Sequence, residues 1–246
     1  MPRACRPFAA RLLVLSALAL LPGCVYAPVV AEPLRVENLD DLPPESLGFQ
    51  PGTTTIEEAR TVFESRRMSG IALARYARET GPTIEVLGAD YQTRLHLFEN
   101  GTYKASIQLP TAGLPPYGLA VGLGRAGDAD VLLALYRDPL SRAEEPPRLL
   151  SFAISNTGVA LVDRRSLGGL VSKHGGMTRP ALIGNDLDTG VMLVARDAQG
   201  ALWDTSYLFV FDRGRFAVRP QSMNEAMRCS CVRDYAYATE ATTQKR

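Results

Sequence analysis

The sequence predicts a mainly β protein: a short N-terminal helix, then antiparallel β-meander repeats of about 57–60 residues, blade-like or folded as a sandwich. Two observations lead there. Hairpin-like turns fall at Asn100-Gly101, Asn156-Thr157-Gly158 and Asp212-Arg213-Gly214, with their glycines 57 and 56 residues apart. Ahead of each lies an apolar run ending in charge: IALARYARE at 71–79, VLLALYRD at 131–138 and VMLVARD at 191–197. Tyr76 and Tyr136 are 60 residues apart and Arg137 and Arg196 are 59 apart, so the runs keep step with the turns. Self-similarity at a fixed period is the sequence mark of a repeat architecture.

The chain opens with Arg3, Arg6 and Arg11, followed by the apolar run LLVLSALALL at 12–21 and then Leu21-Pro22-Gly23-Cys24. Ten apolar residues are too few to cross a bilayer as a helix, which needs roughly 20. A short apolar run behind basic residues reads as an export signal, removed in the mature protein. Its last four residues resemble the lipobox of bacterial lipoproteins; Leu21, Gly23 and Cys24 match, and Pro22 departs from the usual pattern. An ordinary secretory signal with a chance cysteine is the alternative. The resemblance implies acyl chains on Cys24, and several chains together give stable membrane residence. Val25, in place of the Asp that favours inner-membrane retention in enterobacterial lipoproteins, points to the outer membrane, facing the periplasm.

Without residues 1–23, the chain keeps 24 basic and 26 acidic side chains, a formal charge of −2. That is no footprint for nucleic acid, which calls for clustered positive charge. Residues 24–51 hold Pro28, Pro33, Pro43, Pro44 and Pro51 among acids and read as a lipid-anchored, semi-extended tether. The folded part is expected over 52–235, with 236–246 a frayed polar tail.

Thr55 with Glu58 three residues later forms a capping-box pattern, and Ile56, Ala59 and Phe63 make one apolar stripe, predicting a helix over about 55–66. The stretch Gly52-Thr53-Thr54-Thr55-Ile56-Glu57-Glu58-Ala59, with Phe63 beyond, resembles the opening of BamE/SmpA-like outer-membrane lipoproteins. Ala59 replaces the Val of that pattern, and Glu64 and Arg66 stand where its Gly and Pro would be. The likeness spans about a dozen residues and implies an envelope role.

Asn100-Gly101 between TRLHLFE and TYKASIQL is a strong hairpin signal, since both residues tolerate positive φ. In the first arm Thr93, Leu95 and Leu97 alternate with Arg94, His96 and Phe98, which puts His96 on the more polar face. Each later repeat reads as four strands: YGLAVGLG, DVLLALY, RLLSFAIS and GVALVDRR, then PALIGND, GVMLVARD, SYLFVFD and RFAVRP. Such a unit resembles a propeller blade, but propellers close with at least four, and only two full units and one partial one are visible. A repeated meander asks for less.

The candidate sites are few. Cys229 and Cys231 remain for an oxidising compartment. A local disulfide is one reading; a free or intermolecular pair, redox chemistry and metal binding are others. Asp128 and Asp130, like Asp186 and Asp188, are paired acids that could hold Ca²⁺ or simply shape turns. Trp203 could stack on a sugar if exposed, or pack in the core. His174 sits in SLGGLVSKHGGMTRP, a Gly-rich, locally basic stretch with Arg164, Arg165, Lys173 and Arg179, expected to be a surface loop. With no Gly-x-Ser-x-Gly, His-Glu-x-x-His, phosphate loop or Ser-x-x-Lys, no enzyme and no cofactor are expected. The expectation is a structural or protein-interaction module of the envelope, with a glycan- or calcium-binding lipoprotein as the alternative.

Overall fold

The computed structural model describes residues 47–78, 80–111, 116–126, 129–138, 146–155, 158–185, 189–212 and 215–243. Cys24, the tether up to residue 46, Asp128, Asp186 and Asp188 lie outside the described residues.

Helix α1 spans Ile56–Ser65, and its capping box is made: Thr55 Oγ1 accepts from the Glu58 N–H, and Glu58 accepts from the Thr55 N–H at 2.8 Å. The β strands follow as three antiparallel meanders. The first is β1 (Ala72–Tyr76), β2 (Ile84–Gly88), β3 (Arg94–Glu99) and β4 (Thr102–Gln108). The second is β5 (Tyr117–Ala126), β6 (Ala129–Arg137), β7 (Arg148–Ser155) and β8 (Gly158–Ser166). The third is β9 (Thr178–Gly184), β10 (Val191–Arg196), β11 (Thr205–Asp212) and β12 (Arg215–Ser222), and in every sheet consecutive strands are neighbours. The mainly β architecture is as the sequence predicts, with three complete units rather than two and a part.

The Asn100-Gly101 turn joins β3 to β4 with φ of 51° and 74°, the positive values that a two-residue hairpin turn of this hand requires. The first repeat, however, is offset from the sequence alignment. VLLALYRD and VMLVARD are the second strands of their sheets, β6 and β10, whereas IALARYARE is a first strand, β1. The true counterpart is β2, whose five residues are all buried, like the interiors of β6 and β10. A strand buried on both faces reads as an unbroken apolar run, and β2 is too short and carries too buried a glutamate, Glu85, for that run to stand out.

The sheets stack in sequence order. One apolar cluster joins sheet 1 (Val86, Leu95, Leu97) to sheet 2 (Leu123, Leu132, Phe152). Another joins the opposite face of sheet 2 (Val131, Leu133, Leu135) to sheet 3 (Leu193, Tyr207, Phe209). Contact between neighbouring sheets concentrates on their first strands, with β5 against both β1 and β9. Glycines permit this approach: a Cβ on Gly124 would lie against the Gly190 carbonyl oxygen, and one on Gly184 against that of Leu123. The fourth strands of sheets 1 and 2 lie apart, whereas those of sheets 2 and 3 meet, where Arg165 of β8 donates to the Phe216 carbonyl of β12 at 2.9 Å.

Helices cover the two outward faces. Ile56, Ala59 and Phe63 of α1, with Phe49, pack on Leu87, Phe98 and Tyr103 of sheet 1. At the other end α3 (Met223–Ala226) and α4 (Ser230–Thr243) lay Ala226, Cys229 and Val232 on Met192, Val194, Leu208 and Val210. The expected polar tail is thus helical as far as Thr243, because Val232, Tyr235 and Ala236 continue a stripe onto sheet 3, where Tyr235 donates to the Arg179 carbonyl. The Gly-rich stretch after β8 also folds, as the short helix α2 (Gly168–Lys173).

The α1 cover also corrects the placement of His96. It is 1% exposed, with its ring 5.0 Å from Phe49 and 5.8 Å from Phe63. The face that alternation marks as polar is the one α1 and Phe49 bury.

Candidate functional site

His174 follows the last turn of α2, where Gly175 and Gly176, both at positive φ, carry the chain towards β9. This sets the imidazole flat on Trp203, ring centroids 4.3 Å apart and planes 17° from parallel. Nε2 lies 2.8 Å from the Tyr207 hydroxyl, and Nδ1 lies 3.6 Å from Asp204 Oδ1. Trp203 donates from Nε1 to the Gly176 carbonyl at 3.2 Å and is 3% exposed. Burial holds the His174 pKa below its ordinary value; Asp204 opposes that shift and Lys173 adds to it.

These contacts overturn one expectation and decide between two alternatives. His174 is a packed residue rather than part of an open surface loop, since its stacking partner sits 29 positions away and no local pattern announces it. Trp203 offers no free face for a sugar: it is buried, with His174 on one side and Tyr207 edge-on at 90°. The Asp204–His174–Tyr207 line ends in Tyr207, itself part of the apolar cluster between sheets 2 and 3, so it serves to pin α2 to sheet 3.

Asp130 is buried and forms a two-pronged ion pair with Arg78, which donates from Nε at 3.1 Å and from Nη2. Of the two readings of this acid, calcium ligand or turn former, neither describes it: its carboxylate is taken by a guanidinium that ties the end of sheet 1 to β6. Among the described residues no group of three or more His, Cys, Asp or Glu is placed to hold a metal ion. Cys229 and Cys231 are joined by a disulfide across the start of α4.

A groove of about 310 Å³ lies between β4 of sheet 1 and β7–β8 of sheet 2. Leu97, Ile107, Phe152, Val159 and Leu161 supply its apolar wall, and Lys104, Ser106 and Gln108 its polar lip. It exists because the blades diverge outward from their touching first strands. Leu161 is 42% exposed there, one of the few large apolar side chains left open. None of these residues is singled out by a motif. The signal that could have found them is position: fourth strands of blades lie at the outer edge, so an apolar residue there has less to cover it.

The outer edges differ. Beside β4 runs the segment 52–56, with Gly52 N–H donating to the Tyr103 carbonyl, Tyr103 N–H to that of Thr54, and Ile56 N–H to that of Gly101. Strand β12 carries Pro220, which has no N–H to offer a further strand. Strand β8 has nine residues, no proline, and no strand paired to its outer side among the described residues.

No family of known proteins matches this chain, and no curated protein is similar to it.

Proposed function

We propose that this protein is a lipoprotein of the cell envelope, held to the periplasmic side of the outer membrane by acyl chains on Cys24, that binds another envelope protein through its β body. The observation that carries the interaction role is β8: an edge strand with no further strand paired to it among the described residues and an apolar groove alongside. An extended segment can add to such an edge, with main-chain hydrogen bonds giving affinity and alternate side chains entering the groove for specificity. Natural proteins usually blunt a long free edge; here Asp163, Arg164 and Arg165 charge its second half and leave the half nearest Val159 and Leu161 uncharged.

Photocrosslinking in cells, residue by residue along β8, tests this. Val159 and Leu161 line the groove and should each give the same single adduct; Arg60 on α1 should give none. No adduct at Leu161, or the same mixture at all positions, would refute the docking role. Intact mass and membrane fractionation of the native protein beside a Cys24→Ala variant test the anchor. Unacylated, soluble native protein would refute that part.

A further inference from the structure

We propose that Tyr136, Arg148 and Arg164 form a binding site for a phosphate-type oxyanion on the second sheet. Tyr136 of β6, Arg148 of β7 and Ser166 of β8 sit directly opposite one another in register, forming a row across three strands. Arg164 lies opposite Leu150, two residues along on the same face, so the two guanidiniums are diagonal neighbours. Diagonal positions are about 7–8 Å apart at the backbone, a span over which two long side chains can meet on one small anion.

Three further observations point to a ligand. Among the described residues neither Arg148 nor Arg164 has a hydrogen-bond or ion-pair partner, so two exposed guanidiniums on one face are open to a ligand. The Tyr136 hydroxyl is buried and has no partner among the described residues, although a buried hydroxyl normally finds one. Burial raises its pKa, while Arg148 and Arg164 both act to lower it, which places the hydroxyl within electrostatic reach of the two cations. Lastly, a pocket of about 290 Å³ is lined by Pro146, Arg148, Arg164, Arg165 and Ser166.

Arg165 is not counted, because Asp163 and the Phe216 carbonyl already hold its guanidinium. Ser166 Oγ accepts from the Gly168 N–H at 3.3 Å, which leaves its own proton free to donate. Asp138 is the acid whose charge reaches Tyr136, and two arginines outnumber it. The pocket wall therefore offers two planar forks and the Ser166 hydroxyl, with the Tyr136 hydroxyl buried next to Arg148 across the strands. Forked guanidiniums match the oxygen geometry of phosphate, and this many donors suits a tetrahedral oxyanion better than a carboxylate. The ligand is either free phosphate or the phosphate of a lipid headgroup. This pocket is at the opposite end of β8 from Val159 and Leu161, so it stands or falls separately from the docking groove.

The test is calorimetry on the full acylated protein in non-ionic detergent, titrated with inorganic phosphate. Saturable binding is expected, weakened about tenfold or more by Arg148→Gln and by Arg164→Gln, as for the loss of a charge-assisted hydrogen bond, and unchanged by Arg60→Gln. Tyr136→Phe separates a ligand role from a merely structural one. It should weaken phosphate binding and at the same time raise the melting temperature in phosphate-free buffer, since it removes a buried hydroxyl with no partner. Dihexanoyl phosphatidylglycerol, titrated below its micelle concentration, distinguishes the sources: tighter binding than inorganic phosphate assigns the headgroup, and equal or weaker binding assigns free phosphate. No saturable binding of either compound, or binding indifferent to both arginine substitutions, would overturn the site.

Discussion

His96 should make the protein acid-sensitive, and His96→Leu should remove much of that sensitivity. Burial, with a smaller push from Arg94, lowers its pKa from 6.5 to about 4. The groups packed around it are Phe49, Phe63 and Tyr103, so Arg94 is the charge that acts on it, and neither ring nitrogen has a partner among the described residues. Because the folded pKa lies below the unfolded one, the unfolded chain binds the extra proton between those values. The stabilisation is then complete above pH 6.5 and is lost as pH falls towards 4. A shift of this size corresponds to about 3 kcal/mol once the pH is below both values, at about 1.4 kcal/mol per unit, and to about 2 kcal/mol at pH 5.

Urea unfolding at pH 7.5 and pH 5 reads the difference. With a slope of about 2 kcal/mol/M, the native protein should lose about 1 M more in midpoint between the two pH values than the Leu variant does. Asp90, Glu58 and His174 are present in both proteins, so their contributions cancel. At pH 7.5 the variant should be at least as stable as the native protein, because leucine fills a similar volume without two unpaired nitrogens. Equal losses in the two proteins would refute the claim that a neutral imidazole is buried under α1.

Trp203 is the only tryptophan, so its fluorescence reports on the His174 stack directly: the emission should change with a midpoint below pH 6.5, and His174→Gln should abolish that transition. A midpoint above 6.5 would mean that Asp204 outweighs burial. Asp130→Asn breaks a largely buried pair and should destabilise by about 3 kcal/mol in chemical unfolding, leaving Arg78 without its counter-charge; added calcium should stabilise neither protein. Gly124→Ala forces a methyl against the Gly190 carbonyl and should cost about 1–3 kcal/mol, and an unchanged unfolding midpoint would show that β5 and β9 are not in close contact.

What the sequence disclosed was local. The Asn100-Gly101 turn, the Thr55–Glu58 cap and the eight strands of the second and third sheets are read from neighbours a few positions apart, where turn chemistry and period-two alternation act. The register of the first repeat was misread because alternation cannot tell a first strand from a second. That difference is one of burial, set by what lies on each face. His96, the His174–Trp203 stack and the Arg78–Asp130 pair all depend on partners brought together from 29 to 52 positions apart, or from a covering helix, and no window holds both members. The C-terminal helices went unread, although Ser222 and Glu225 make a second capping box at the start of α3, of the same pattern as the first. The basic character of Arg164 and Arg165 was also visible, but not that one is neutralised by Asp163 and the other left open.

Among the described residues the three sheets pack in series, with helices on the outward faces of the first and the third. Among the described residues, apolar clusters join the first sheet to the second and the second to the third, and none joins the first to the third. A closed ring shares strain around its circumference and has no place to begin opening. A series has two ends, and each sheet is secured only by its neighbours, as in a stacked repeat. The helices therefore act as terminators: without α4, the face bearing Met192, Val194 and Leu208 would be free to accept another sheet. Molecules lacking that helix would be prone to polymerise end to end, with the middle sheet, flanked on both sides, the last to come apart.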